Sequence, residues 1–175
     1  AIYYVDHFQL SLESAGIAAA SFGLLALFAR ALGGYISDKV ALRGGLNRRA
    51  TLLFVMMLGE GLGLLWFAHA GSVVAAVIAM LCFGLFTHMA CGATYALVPF
   101  IDRKALGGVA GIIGAGGNVG AVAAGFLMKG LGNTQQTLSM LGVLVTISAL
   151  CAVAIRFTAS DKSGDAVLAD SKVAA

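Results

Sequence analysis

Four side chains with chemistry of their own interrupt long apolar stretches of this chain. They are Arg30 in LLALFARALGGYISD, Glu60 in MMLGEGLG, His88 in CFGLFTHMACGATYALVPF and Asn118 in AGIIGAGGNVGAV. A guanidinium keeps its charge at any relevant pH and offers a planar fork of donors, so Arg30 facing an aqueous cavity could hold an anionic substrate. The competing reading is a structural ion pair, for which Glu60 is the only acid deep in another apolar stretch. Asn118 could offer its amide to a substrate or bond a neighbouring helix. His88 is either a proton carrier or a satisfied structural histidine, and Glu60 either a proton site or a helix-packing hydrogen bond. Phe83, Phe86 and Tyr95 read as packing aromatics, although such rings could also sandwich a flat anion.

Composition decides what must position these groups. The chain has 175 residues, 60% hydrophobic, 11% charged, with a single proline. A soluble domain carries about a quarter charged residues, so this chain lacks the polar surface to cover a water-soluble body, and a bilayer is the economical solvent. A helix rises about 1.5 Å per residue, so about 20 residues cross a hydrocarbon core of about 30 Å. Five runs meet that length, at about 13–38, 50–69, 73–99, 105–128 and 135–157. Residues 1–8 read as the end of a truncated transmembrane helix. Residues 158–175, rich in Ser, Asp, Lys and Ala without apolar periodicity, read as a disordered tail. The expected fold is all-α, a polytopic membrane helix bundle. Arg30 precedes Asp38, at a predicted membrane edge, by eight residues, or about 12 Å along the axis, which puts it near mid-membrane.

The loops set the orientation. Lys39, Arg43, Arg48 and Arg49 crowd the first loop, HAGS carries no formal charge, Arg103 and Lys104 follow, and then comes Lys129 alone. Basic residues alternate loop by loop, and the positive-inside rule places the rich loops and the tail in the cytoplasm. The N-terminus, AIYYVDHFQL, lacks an initiator Met, a basic region and an apolar signal core, which predicts a piece of a longer protein. Cys82, Cys91 and Cys151 sit in apolar stretches without CxxC or Cys/His spacing, so no metal site or disulfide framework is expected. No cofactor, no enzymatic activity and no nucleic-acid partner is expected either.

Residues 108–127, GVAGIIGAGGNVGAVAAGFL, pose a separate question. A dinucleotide loop needs GxGxxG directly after a strand; here Gly114 and Gly116 fit, but the third position is Val119, and no acidic residue follows about 20 positions on. A Walker-type Gly-Lys-Ser/Thr is absent. Read as a helix, Gly107, Gly111, Gly114, Asn118, Ala121 and Gly125 recur with steps of four and three on one face. In lipid, such a face lets backbones approach closely, which predicts a packing seam along which helices can rock.

Two stretches then carry a family likeness. LFARALGGYISDKVALRGGLNRRA resembles the loop motif G-x-x-x-D-(R/K)-x-G-R-(R/K) of the major facilitator superfamily, with Gly34, Asp38 and Lys39 in place and Arg48 and Arg49 displaced by a longer insert. GATYALVPFIDRKALGGVAGIIGAGGNVGAV resembles the second nitrate signature of the nitrate/nitrite porter family. The likeness covers about residues 2–157 and implies the C-terminal six-helix half of a twelve-helix transporter, residues 1–8 ending helix seven. It further implies that each half contributes one buried arginine to a nitrate or nitrite site, Arg30 being the C-terminal member. Gly111, Gly114, Gly117, Asn118 and Gly120 would line the moving helix, with Gly114, Gly117 and Asn118 near the anion. Asp38, Lys39, Arg48 and Arg49, with Gly34, would latch one conformational state of an alternating-access cycle. The N-terminal half, with the partner arginine, would be the other partner, in a bacterial inner membrane. The alternatives are a transporter of another small anion on the same fold, or a non-transporting membrane subunit.

Overall fold

The computed structural model describes residues 1–102 and 104–155; Arg103 and the predicted tail at 158–175 lie outside the described residues. Among the described residues all regular structure is helical: α1 (Ile2–Phe8), α2 (Leu12–Ala68), α3 (Val73–Tyr95), α4 (Val98–Ile101), α5 (Leu106–Leu131) and α6 (Thr134–Ala154). Four of the boundaries have a clear local cause. The hydroxyls of Ser11 and Ser72 accept the backbone N–H of Ser14 and Ala75, both at 3.2 Å, and the Asn133 side chain accepts that of Gln136 at 3.0 Å. These caps satisfy amides that a helix start leaves without partners. Gly132, at φ 61°, ends α5 in the left-handed conformation.

Four of these helices, counting Val73–Ile101 as one, are long and apolar enough to cross a membrane. At 57 residues α2 would run about 86 Å, far beyond one bilayer core. It is broken at Gly45, where φ is 71° and ψ −172°, a backbone region that essentially only glycine occupies. The break divides α2 into a first arm (12–44) and a second arm (46–68), each long enough to span. The stretch 39–49, expected as a loop, is thus helical on both sides of one glycine. Its charges mark where water is, and a helix end need not coincide with that.

The arms and α3 form the centre of the bundle. α3 packs on the first arm, where Gly33 abuts Met89 and Gly84 abuts Phe22, and on the second arm, where Gly59 meets the Phe86 ring and Gly63 meets Phe83. The opposite side of the second arm takes α6, through Gly61 on Thr146 and Gly142 on Leu65. Leu53, Met56, Ala90, Ala93, Leu97 and Ala152 bury one core toward the Gly45 end. Tyr3, Tyr4, Leu64, Phe67 and Met80 bury another toward the Ala68 end, where the Tyr3 hydroxyl donates to the Phe67 carbonyl at 3.0 Å. Large apolar side chains left outside, such as Phe28 and Phe126, both 71% exposed, suit a lipid surround.

α5 stands apart from this centre. None of its residues is buried. Of its glycines only Gly114 has another helix near, and Gly107, Gly111, Gly116, Gly117, Gly120 and Gly125 border open space. The close-packing seam expected at 107–125 therefore has no mate among the described residues.

Candidate anion site

Arg30 lies on the first arm, three residues before the Gly33–Gly34 pair, and its side chain is exposed. Among the described residues it forms no ion pair, and the only salt bridge lies elsewhere, between Arg49 and Asp38. The Arg30–Glu60 pair weighed from the sequence is not formed. Glu60 is half-buried on the second arm, with the Thr87 side chain as its polar neighbour.

The backbone of Arg30 is held closely. Its carbonyl oxygen rests on Gly92 of α3, so near that a methyl group at position 92 would overlap it. One turn further along α3, the Tyr95 hydroxyl lies 3.7 Å from where a Cβ on Gly114 would sit. A single turn of α3, Gly92–Tyr95, thereby touches the Arg30 backbone on one side and the signature helix α5 on the other. Tyr95 is 44% exposed. Gly111, Gly117, Asn118 and Gly120 remain exposed on α5, and the Asn118 side chain makes no hydrogen bond among the described residues. Arg30 and Gly114 are brought to the same turn of α3, and Asn118 keeps its amide free.

The predicted latch residues separate into two groups. Arg49 is buried, its side chain 7% exposed, and its Nη1 lies 2.9 Å from Asp38 Oδ1 across the Gly45 break. The same nitrogen donates to Ser37 Oγ at 3.4 Å and to the Ala96 carbonyl at 3.5 Å, and the guanidinium sits 5.0 Å from the Phe100 ring centre. Its Nε is buried without a partner. One arginine thus ties both arms of α2 to α3 and α4. Arg48, its neighbour in sequence, is exposed, and Lys39 lies over the Tyr35 ring at 5.0 Å instead of joining the pair. Gly34, one residue past the Gly33–Met89 contact, approaches the Gly92 carbonyl at ordinary contact distance.

His88 is buried, with Nε2 3.1 Å from the Phe22 carbonyl and its ring 4.9 Å from the Phe22 ring. A carbonyl only accepts, so Nε2 carries the hydrogen. That contact joins α3 to the first arm and satisfies the histidine. A polar cleft of about 260 Å³ between α1 and the start of α6, lined by Tyr3, Asp6, His7 and Thr134 among others, contains none of the predicted site residues. The sequence reading missed Gly92. Its signal was the small-residue run Ala90–Cys91–Gly92–Ala93, which permits close helix approach.

Helices long and apolar enough to span and a double-length helix broken at Gly45 define a polytopic membrane helix bundle. The major facilitator superfamily model matches residues 1–172, and the chain belongs to that superfamily. Its likenesses within the superfamily are to nitrate transporters. It is 41% identical over 144 residues to high affinity nitrate transporter 2.5 of Arabidopsis thaliana, covering 81% of this chain and 29% of that protein. It is 40% identical over 120 residues to nitrate transporter 2.2 of Chlamydomonas reinhardtii, covering 68% and 23%. It is 38% identical over 125 residues to the nitrate/nitrite transporter NrtP of a Picosynechococcus species, covering 69% and 22%. The chain spans less than a third of the length of each of these curated relatives. No solved structure matches it.

Proposed function

We propose that this chain forms the C-terminal half of a carrier that moves nitrate, nitrite or both across a membrane by alternating access, with Arg30 as an anion ligand. The observation that carries the reading is a guanidinium deep in a spanning helix, held by its backbone and without a counter-charge among the described residues. A charge in that position is costly, and an anion arriving from water supplies what it lacks. Nitrate and nitrite are planar, weakly hydrated anions that suit a bidentate fork. The named relatives carry the same substrates in their names, and the chain's coverage of them leaves room for a further half with a partner arginine.

The remaining groups take roles around that site. Asn118, exposed on α5, offers an amide to the anion, with Gly114 and Gly117 allowing close approach. Tyr95, one turn along α3 from the Arg30 contact and with its hydroxyl near Gly114 of α5, flanks the flat anion in this reading. The smooth face of Gly107, Gly111, Gly114, Asn118, Ala121 and Gly125 meets the other half and rocks against it, with Gly120 elsewhere on the same helix. The Asp38–Arg49 pair holds the Gly45 end in one state, with the basic loops cytoplasmic and a bacterial inner membrane as the setting.

Nitrate uptake into vesicles carrying the complete transporter tests this. Arg30→Lys, inserted to normal level, is expected to lose most uptake, and Asn118→Leu to weaken it by about tenfold, the loss of one hydrogen bond to a charged group. Wild-type uptake by Arg30→Lys would refute the ligand role. Absence of nitrate and nitrite uptake by the wild type would refute the substrate and leave superfamily membership standing.

A further inference from the structure

The contact between Gly92 and Arg30 has no counterpart among the four polar residues that the apolar pattern exposes. Gly33 on Met89 and Gly92 on Arg30 bring two backbones together with no side chain between them, in both directions across one helix crossing. At Gly59 and Gly84 the opposing group is an aromatic ring, which can turn aside, and at Gly61 and Gly63 a Thr146 or Phe83 side-chain atom lies nearest with backbone just behind it. Only at Gly33 and Gly92 is the nearest atom a backbone carbonyl oxygen that a methyl group would overlap. A carbonyl within a helix cannot turn aside. The crossing is also tied by the His88 bond to the Phe22 carbonyl and lies one turn from Tyr95 and Gly114.

We infer that Gly92 is a positioning residue for Arg30: its bare Cα seats the Arg30 carbonyl and thereby sets where the guanidinium meets the anion. The inference rests on Arg30 being an anion ligand. Carbon and oxygen need about 3.5 Å between centres, so any side chain at 92 pushes the first arm from α3 by on the order of 1 Å. The first arm and α3 meet backbone to backbone at this crossing, whereas no residue of α5 is buried.

The test uses the complete transporter in detergent, with apparent nitrate Kd read from nitrate-dependent thermal stabilisation, so that variants that do not transport can still be measured. Gly92→Ala is expected to raise Kd by about a hundredfold, the effect of misplacing a binding group by about 1 Å. In the Arg30→Lys background the same change is expected to alter Kd by about twofold or less, because the group it displaces is already gone. Gly61→Ala, equally crowded but against Thr146 and far along α2, should lower thermal stability with Kd kept. An unchanged Kd in Gly92→Ala overturns the inference, as does an equal factor in both backgrounds, which marks a general packing defect. Wild-type Kd in Arg30→Lys alone instead overturns the ligand reading beneath it.

Should Gly92→Ala not insert, dipolar coupling decides on protein that keeps Gly92. Spin labels replace the exposed Leu27 and Ile78 in a background with every cysteine of the complete transporter, Cys82, Cys91 and Cys151 included, changed to alanine. An interlabel distance that nitrate leaves unaltered supports the seating of Arg30 on Gly92, and a nitrate-dependent separation of the two helices overturns it.

Discussion

Removing either partner of the Asp38–Arg49 pair should have unequal consequences, because the two ends sit in different surroundings. The Asp38 side chain is 51% exposed and that of Arg49 7%. Charges about 4 Å apart at an effective dielectric of about 20 attract by about 4 kcal/mol, and half-exposure of the carboxylate discounts that to about 2 kcal/mol. Asp38→Asn strands a buried guanidinium whose remaining bonds, to Ser37 and Ala96, are long, at 3.4 and 3.5 Å, so it should cost about 2 kcal/mol. Arg49→Met leaves a carboxylate that water can rehydrate, removes the orphaned Nε and keeps an apolar side chain against Phe100. Its cost should be about 1 kcal/mol or less. Thermal unfolding of the detergent-solubilised protein should rank Asp38→Asn below Arg49→Met, with the double variant no worse than Asp38→Asn alone. If Arg49→Met unfolds first, the burial argument fails, and the arginine's packing rather than its charge holds the two arms.

Gly45→Ala should destabilise by about 1–3 kcal/mol in the same assay, since its backbone lies where a Cβ is strained whatever the space around it; a neutral effect would mean that the break relaxes without glycine. His88→Gln keeps a donor for the Phe22 carbonyl, so uptake and its pH profile should stay as in wild type. A displaced pH profile would return His88 to the role of proton carrier.

Much of the fold was legible because the bilayer imposes it. Apolar runs of about 20 residues with charges only at their ends admit few solutions other than spanning helices, and composition alone excludes a soluble α/β reading of the glycine run. The break in α2 was less legible. RGGLNRRA reads as a polar loop, and only backbone angles show that one glycine, Gly45, separates two helical arms. The fate of Arg48 and Arg49 follows from that break. Consecutive residues on a helix point about 100° apart, and the rotation of the second arm decides that Arg49 enters the core while Arg48 does not.

The site divides along the same line. Residue type by itself singled out Arg30, Asn118, His88 and Glu60, because each is costly in an apolar span. It also singled out the glycines of α5, because small residues crowd there. Which small residues meet a neighbour is a property of helix pairing, and no one-dimensional pattern contains it. Among the described residues the glycines of α5, Gly114 apart, meet no other helix. The backbone contacts fall instead on Gly33 and Gly92, where the first arm crosses α3 and Arg30 is seated. The sequence determined that the chain spans a membrane and carries a cation within an apolar span. Tertiary structure decided which arginine pairs, which glycine is filled and where the cation stands, because those depend on the relative rotation of packed helices.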